Sequence, residues 1–133
     1  MPFVHLRSHT EYSVVDGTVR IDDLVKAAAQ DGQPAVAVTD LSNLFGAIKL
    51  YSSARKKGVQ PLIGADVWLE PEEAGRVPTR VLLLIQNRKG YLRLCELIGE
   101  AWTAPGQRSH AWVHWASLAA STEGLICLSS AEL

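Results

Sequence analysis

The sequence predicts an α/β fold, a partial (β/α) barrel built mostly from parallel strands. Three observations predict it. Apolar runs at Phe3–Leu6, Ala35–Val38 and Pro61–Leu69 alternate with stretches of helical periodicity. The links between these runs are long enough for right-handed parallel crossovers. The run Ala35-Val36-Ala37-Val38 is continuously apolar, which suits a strand buried on both faces.

Each element has a local reason. Phe3–Leu6 reads as a first strand, and polar, ionisable residues crowd its exit. Asp22 or Asp23 is expected to cap a helix with Leu24, Val25 and Ala28 on its apolar face, stopped by Gly32. After the second strand, Asn43 is expected to cap a helix presenting Leu44, Ala47, Ile48, Tyr51 and Ala54, with Gly58 beyond its end. Pro61 opens the third strand, which runs to Trp68-Leu69. The link from Glu70 to Thr79 is too short for a parallel crossover, so a hairpin-like excursion is expected there. Val81–Ile85 follows as a strand. Asn87 caps a third helix with Tyr91, Leu94, Leu97, Ile98 and Ala101 inward, and a loop at Pro105-Gly106 follows it. A short Trp-rich helical piece near Val113–Leu118 and a last strand, Leu125–Leu128, complete the order. About five mostly parallel strands cannot close a barrel, so an unpaired sheet edge is expected and self-association is possible.

Composition narrows the function classes. The chain has 133 residues, 47% of them hydrophobic, which suits one domain with a modest core. The net charge is −1 and the pI is near 6.4, so no basic stripe advertises nucleic-acid binding. Arg55-Lys56-Lys57 closes the second predicted helix, where cations complement the helix dipole. Cys95 and Cys127 form no C-x-x-C pair and sit in apolar segments, so buried, reduced thiols are expected. No apolar run approaches the roughly 20 residues that span a bilayer, and Met1-Pro2-Phe3 leads directly into a strand. A soluble, cytoplasmic protein is the expectation.

The chemistry concentrates in the stretch from His5 to Gly17. Side chains at the carboxyl ends of strands in α/β folds face the ligand crevice. His9 and Asp16 lie across one loop and could converge on a cation or a phosphate. Arg7-Ser8-His9, Ser13 and Asp16-Gly17 resemble the opening of the polymerase-and-histidinol-phosphatase (PHP) domain of bacterial DNA polymerase III alpha subunits. That family opens with His-x-His, then Ser and Asp-Gly; here the first His is Arg7. Thr39-Asp40-Leu41-Ser42-Asn43-Leu44 resembles the family's Thr-Asp-His-x-Asn-Leu, with Leu41 in place of the metal-binding His. Gly64-Ala65-Asp66 stands where the family usually has Gly-x-Glu, and Arg80 stands where it has another His. Lys89-Gly90-Tyr91-Leu92-Arg93-Leu94 matches a Gly-Tyr-x-x-Leu helix start.

The resemblance covers essentially the whole chain and implies the N-terminal portion, residues 1–133, of a single longer PHP domain. In metal-dependent members, His and carboxylate ligands hold a cluster of zinc, manganese or iron that generates hydroxide for phosphoester hydrolysis. Leucine offers no lone pair, and arginine is not deprotonated in proteins. The remnant pocket would therefore be His9, Asp16, Asp40 and Asp66, with ligands lost at Arg7, Leu41 and Arg80. Any residual metal would rest on His9, Asp16 and Asp66, and none is expected. Two guanidinium groups could replace the dications by pairing with carboxylates; Arg7 is expected to pair with one or more of Asp16, Asp40 and Asp66.

Other candidates carry less. His110 and His114 have metal-ligand spacing but no H-E-x-x-H context, and Trp112 between them suggests packing. Trp68, Trp102, Trp112 and Trp115 lack interleaved basic residues, so core or subunit contact is expected rather than base stacking. There is no Walker-type loop and no nucleophile elbow. The resemblance thus implies a segment of a replicative DNA polymerase alpha subunit whose full chain performs nucleotidyl transfer with magnesium. Its catalytic aspartates would lie outside this sequence. This segment would be structural, docking the proofreading exonuclease and other replicase subunits. DNA would be met through the parent chain rather than strongly through this segment. The alternative is an active metal-dependent phosphoesterase or 3′–5′ exonuclease with a reduced ligand set.

Overall fold

The computed structural model describes residues 2–105 and 110–129. The chain divides into two compact units, Met1–Ala65 and Asp66–Leu133. Gly106, at the predicted Pro-Gly loop, lies outside the described residues.

The first unit contains α1 (Ile21–Gln30), β1 (Ala35–Leu41), α2 (Ala47–Lys56) and the first part of β2 (Gln60–Leu69). Its α1 buries Ile21, Val25 and Ala28, a stripe at helical spacing. Arg20 is the N-cap and makes no side-chain cap bond, whereas Asp22 and Asp23 fall in the first turn. There their charge favours the helix dipole without closing a cap. Gly32, at φ 73°, ends the helix as expected. The start of β2 lies beside the start of β1 through Gln60 N–H to Pro34 O at 2.9 Å, as in a parallel βαβ unit. Val36 and Val38 join Ile21, Val25, Leu50, Ala54 and Val59 in the core of this unit.

Three expectations change here. Phe3–Leu6 is not a strand. Its carbonyls do reach β1, from Ala37 N–H to His5 O at 3.1 Å and Thr39 N–H to Ser8 O at 2.9 Å. The chain advances three residues on one side and two on the other between those bonds, and such an offset interrupts a ladder. Asn43 is not the cap of α2, whose N-cap is Gly46. Its side chain instead accepts from Phe45 N–H at 3.1 Å and donates to Tyr12 O at 3.0 Å, folding the turn ahead of the helix. Finally, α2 buries Leu50 and Ala54, so Ile48, about 200° round the helix from Leu50, is exposed, as is Tyr51.

The second unit holds the rest of β2, then β3 (Thr79–Ile85), α3 (Arg88–Thr103), β4 (Trp112–Val113), α4 (Trp115–Ala120) and β5 (Leu125–Ser129). The chain returns from β2 to its neighbour β3 through residues 70–78, the predicted excursion. β3 and β5 are antiparallel, pairing Leu83 with Cys127, and β4 joins β2 in parallel at Trp68 and Trp112. Asn87 caps α3 as predicted, accepting from Gly90 N–H at 3.0 Å. The inward stripe of α3 is Gly90, Leu94, Leu97 and Ala101. Cys95 sits one position off that stripe and is exposed. Cys127 is exposed as well, beside Ile126 on a strand whose two faces are both open among the described residues. Tyr91, Trp102 and Trp115 also lie outward rather than in the core.

Candidate functional site

At the end of β1, Asp40 is 1% exposed, and its carboxylate is fully engaged by neutral donors. Thr10 N–H donates to Oδ1 at 2.6 Å and the Thr10 hydroxyl to Oδ2 at 2.8 Å. The Ser13 hydroxyl donates to Oδ1 at 2.8 Å and accepts from Leu41 N–H at 2.9 Å. A buried carboxylate needs compensation of this kind, because desolvation penalises the charge unless hydrogen bonds replace water. The same bonds pin the loop after residue 9 to the end of β1. Within that loop Gly17 N–H and Asp16 N–H both reach Ser13 O, at 2.8 and 3.1 Å. A Cβ at Gly17 would lie 1.9 Å from Thr10 O, so only glycine fits this close approach.

The folded loop brings together two of the residues singled out from the sequence. His9 Nδ1 lies 2.8 Å from Asp16 Oδ1, with the imidazole mostly covered and the carboxylate partly open. Arg7 is exposed, two residues before His9. Leu41 closes β1 and is half-buried.

In the second unit, Asp66 is fully buried on β2. The Arg80 guanidinium lies over the Trp68 ring, 5.1 Å from its centroid, and the His110 ring packs on the same indole at 4.4 Å. His114 takes a different partner, placing Nδ1 2.6 Å from Glu70 Oε2, while Glu70 Oε1 accepts from Trp115 N–H at 2.8 Å. His110 and His114 thus have separate partners, despite their ligand-like spacing.

The sequence matches the PHP domain family over residues 5–133. The chain belongs to that family. It is 48% identical to the DNA polymerase III subunit alpha of Pseudomonas aeruginosa over 133 residues, covering 98% of this chain and 11% of that protein. It is 37% identical to the Escherichia coli DNA polymerase III subunit alpha over 131 residues, again 98% of this chain and 11% of the relative. The chain therefore spans about a ninth of the length of these relatives. An amidohydrolase from Chromobacterium violaceum, solved with bound sulfate and no metal, superposes with a TM-score of 0.58 at 20% identity, over 74% of this chain and 32% of that one. A protein from Bifidobacterium adolescentis, provisionally assigned as a metal-dependent phosphoesterase, superposes with a TM-score of 0.56 at 19% identity, over 76% and 32%. At such identities these two likenesses carry the fold alone.

Several of the residues singled out from the sequence offer no free lone pair to a metal. Both Asp40 oxygens are committed to Thr10 and Ser13, Leu41 has no lone pair, and Arg7 and Arg80 carry permanent positive charge. Among the described residues, no three His, Cys, Asp or Glu side chains are gathered as a metal-holding group. What the arrangement does chemically is hold the His9–Asp16 imidazole–carboxylate pair on a loop pinned to β1. Sequence reading missed Thr10 and the pairing role of Glu70. Neither carries a local signal, since each partner lies about 30 or more residues away.

Proposed function

We propose that this chain is the PHP-domain part of a DNA polymerase III alpha subunit and serves there as a scaffold. In this reading it braces the polymerase and contributes to docking the proofreading exonuclease, and the site that bound metal in other members has become structural. The carrying observation is the Asp40–Thr10–Ser13 network, in which a buried carboxylate beside Leu41 serves to anchor a loop. Arg7 and Arg80 belong to the same reading, supplying fixed positive charge where ligand histidines are replaced. The family membership and the similarity to alpha subunits support the parent function, magnesium-dependent nucleotidyl transfer by residues outside this sequence. A cytoplasmic protein follows from that role, and no helix among the described residues is long and apolar enough to cross a membrane.

A second reading is favoured by one contact. The His9–Asp16 pair at 2.8 Å orients an imidazole as a hydrolytic site would, consistent with a phosphoesterase or 3′–5′ exonuclease of reduced ligand set. Two measurements on the full-length alpha subunit separate them. The scaffold reading expects co-purification with the exonuclease subunit, and no transition metal retained by protein prepared without chelator. A stoichiometric metal, with phosphoester cleavage lost in His9→Ala, would replace it with the second reading.

A further inference from the structure

The helix α2 carries a polar stripe that the reading above does not use. Lys49, Ser52, Ser53 and Lys56 recur at i, i+3, i+4 and i+7, and Lys57 follows at the helix end. This is the spacing of a single helical face. These residues, with Asp22 of α1, line a surface groove of about 500 Å³ within the first unit. The lining thus counts three lysines and two serines against one aspartate, with Glu11 beside Lys49, in a chain whose net charge is −1. About 100° round the helix from Lys49 and Ser53, α2 buries Leu50 and Ala54, so the stripe has a fixed direction.

Spacing selects the ligand. Lys49 and Lys56 are two helical turns apart, roughly 10 Å along the axis at 1.5 Å per residue. A single phosphate ion is too small to reach both ends. A ligand that engages the whole stripe must spread its negative charge over about that length, as a chain of linked phosphates does. Lysine meets phosphate as a point charge, and serine hydroxyls donate to its oxygens. Lys49 Nζ also sits 3.6 Å from Glu11 Oε1, but that pair is solvent-exposed and weak enough to be exchanged for a ligand. We propose that the α1–α2 groove binds an extended phosphate chain, a phosphodiester strand or a linear polyphosphate, through Lys49, Lys56 and Lys57. The groove borders the loop that holds His9 through the Lys49–Glu11 pair, but its lining includes none of His9, Asp16 or Asp40, and the proposal stands independently of the scaffold reading.

The test is anisotropy of a labelled single-stranded oligonucleotide on the 133-residue chain, with tripolyphosphate and orthophosphate as competitors. Three lysine contacts give a salt slope near −2, so affinity should fall about 20-fold between 50 and 200 mM salt. In Lys56→Gln/Lys57→Gln the fall should shrink to about 3-fold, while Lys56→Arg/Lys57→Arg retains the original slope. Competition by tripolyphosphate would identify a free polyphosphate chain as an adequate ligand, and its failure would point to the strand; both support the groove. No oligonucleotide or tripolyphosphate binding, an unchanged slope in the glutamine variant, or equal competition by orthophosphate would overturn it.

Discussion

Thr10 and Asp40, thirty residues apart in sequence, meet through two hydrogen bonds: backbone N–H to Oδ1 at 2.6 Å and hydroxyl to Oδ2 at 2.8 Å. Ser13 adds a third donor at 2.8 Å, so the loop carrying His9 and Asp16 is fastened to β1 by one buried carboxylate. The carboxylate thus ties one backbone amide and two side-chain hydroxyls of the loop to the end of β1.

Removing that anchor has a large expected cost. Asp40→Ala leaves buried Thr10 and Ser13 donors unsatisfied and should destabilise the chain by about 3 kcal/mol or more. Thr10→Val keeps the backbone bond and should cost about 1–2 kcal/mol. Urea unfolding of both variants checks the order, and a near-neutral Asp40→Ala would sink the anchoring role.

Two glycines of α3 should respond with opposite sign. A Cβ at Gly90 would lie 1.9 Å from Gly124 O, and Gly124 itself is held at φ 83°. Backbone cannot yield as a side-chain tip can, so Gly90→Ala should cost about 2 kcal/mol or more. A Cβ at Gly99 meets nothing within 4 Å, so Gly99→Ala should stabilise by about 0.5–1 kcal/mol. Thermal melts of the pair, measured side by side, decide the matter.

Cys127 offers a pH-dependent readout. Although Cys127 is exposed as a residue, partial burial of its thiol pushes the pKa above the ordinary thiol value. The folded state therefore holds this proton more tightly than the unfolded chain does. The associated stability is fully present below the unfolded-state pKa and is lost as pH rises through the higher folded-state value. Alkylation followed by mass spectrometry should show Cys127 reacting more slowly at a given alkaline pH than it does in urea. Equal rates in the two states would contradict the shift.

Glu70 joins β4 and α4 to the end of β2 through the His114 imidazole and the Trp115 amide. Arg93 fastens the other end of α4, where its Nε donates to Ser121 O at 3.1 Å. Glu70→Ala should therefore release one end of the helix only, at a cost of about 1 kcal/mol, with faster hydrogen exchange confined to its first turn. Exchange rising equally along α4 would assign no separate role to Glu70.

The sequence by itself determined the order of elements from α1 to β5 apart from the two-residue β4, together with the Asn87 cap, the stops at Gly32 and Gly58 and the hairpin-like return after β2. These follow from signals read within a few residues: periodicity, turn chemistry and link length. The motif positions Arg7, Leu41 and Arg80 were legible through the resemblance to the PHP family. Only the tertiary structure decided that Asp40 is spent on Thr10 and Ser13, that Ile48 and Cys95 lie outside the buried stripes, and that Lys49 shares a groove with Lys56. A helix has more than one plausible apolar face until a neighbour covers one of them. A carboxylate's role likewise depends on donors brought to it from distant parts of the chain, and local sequence holds no record of that meeting.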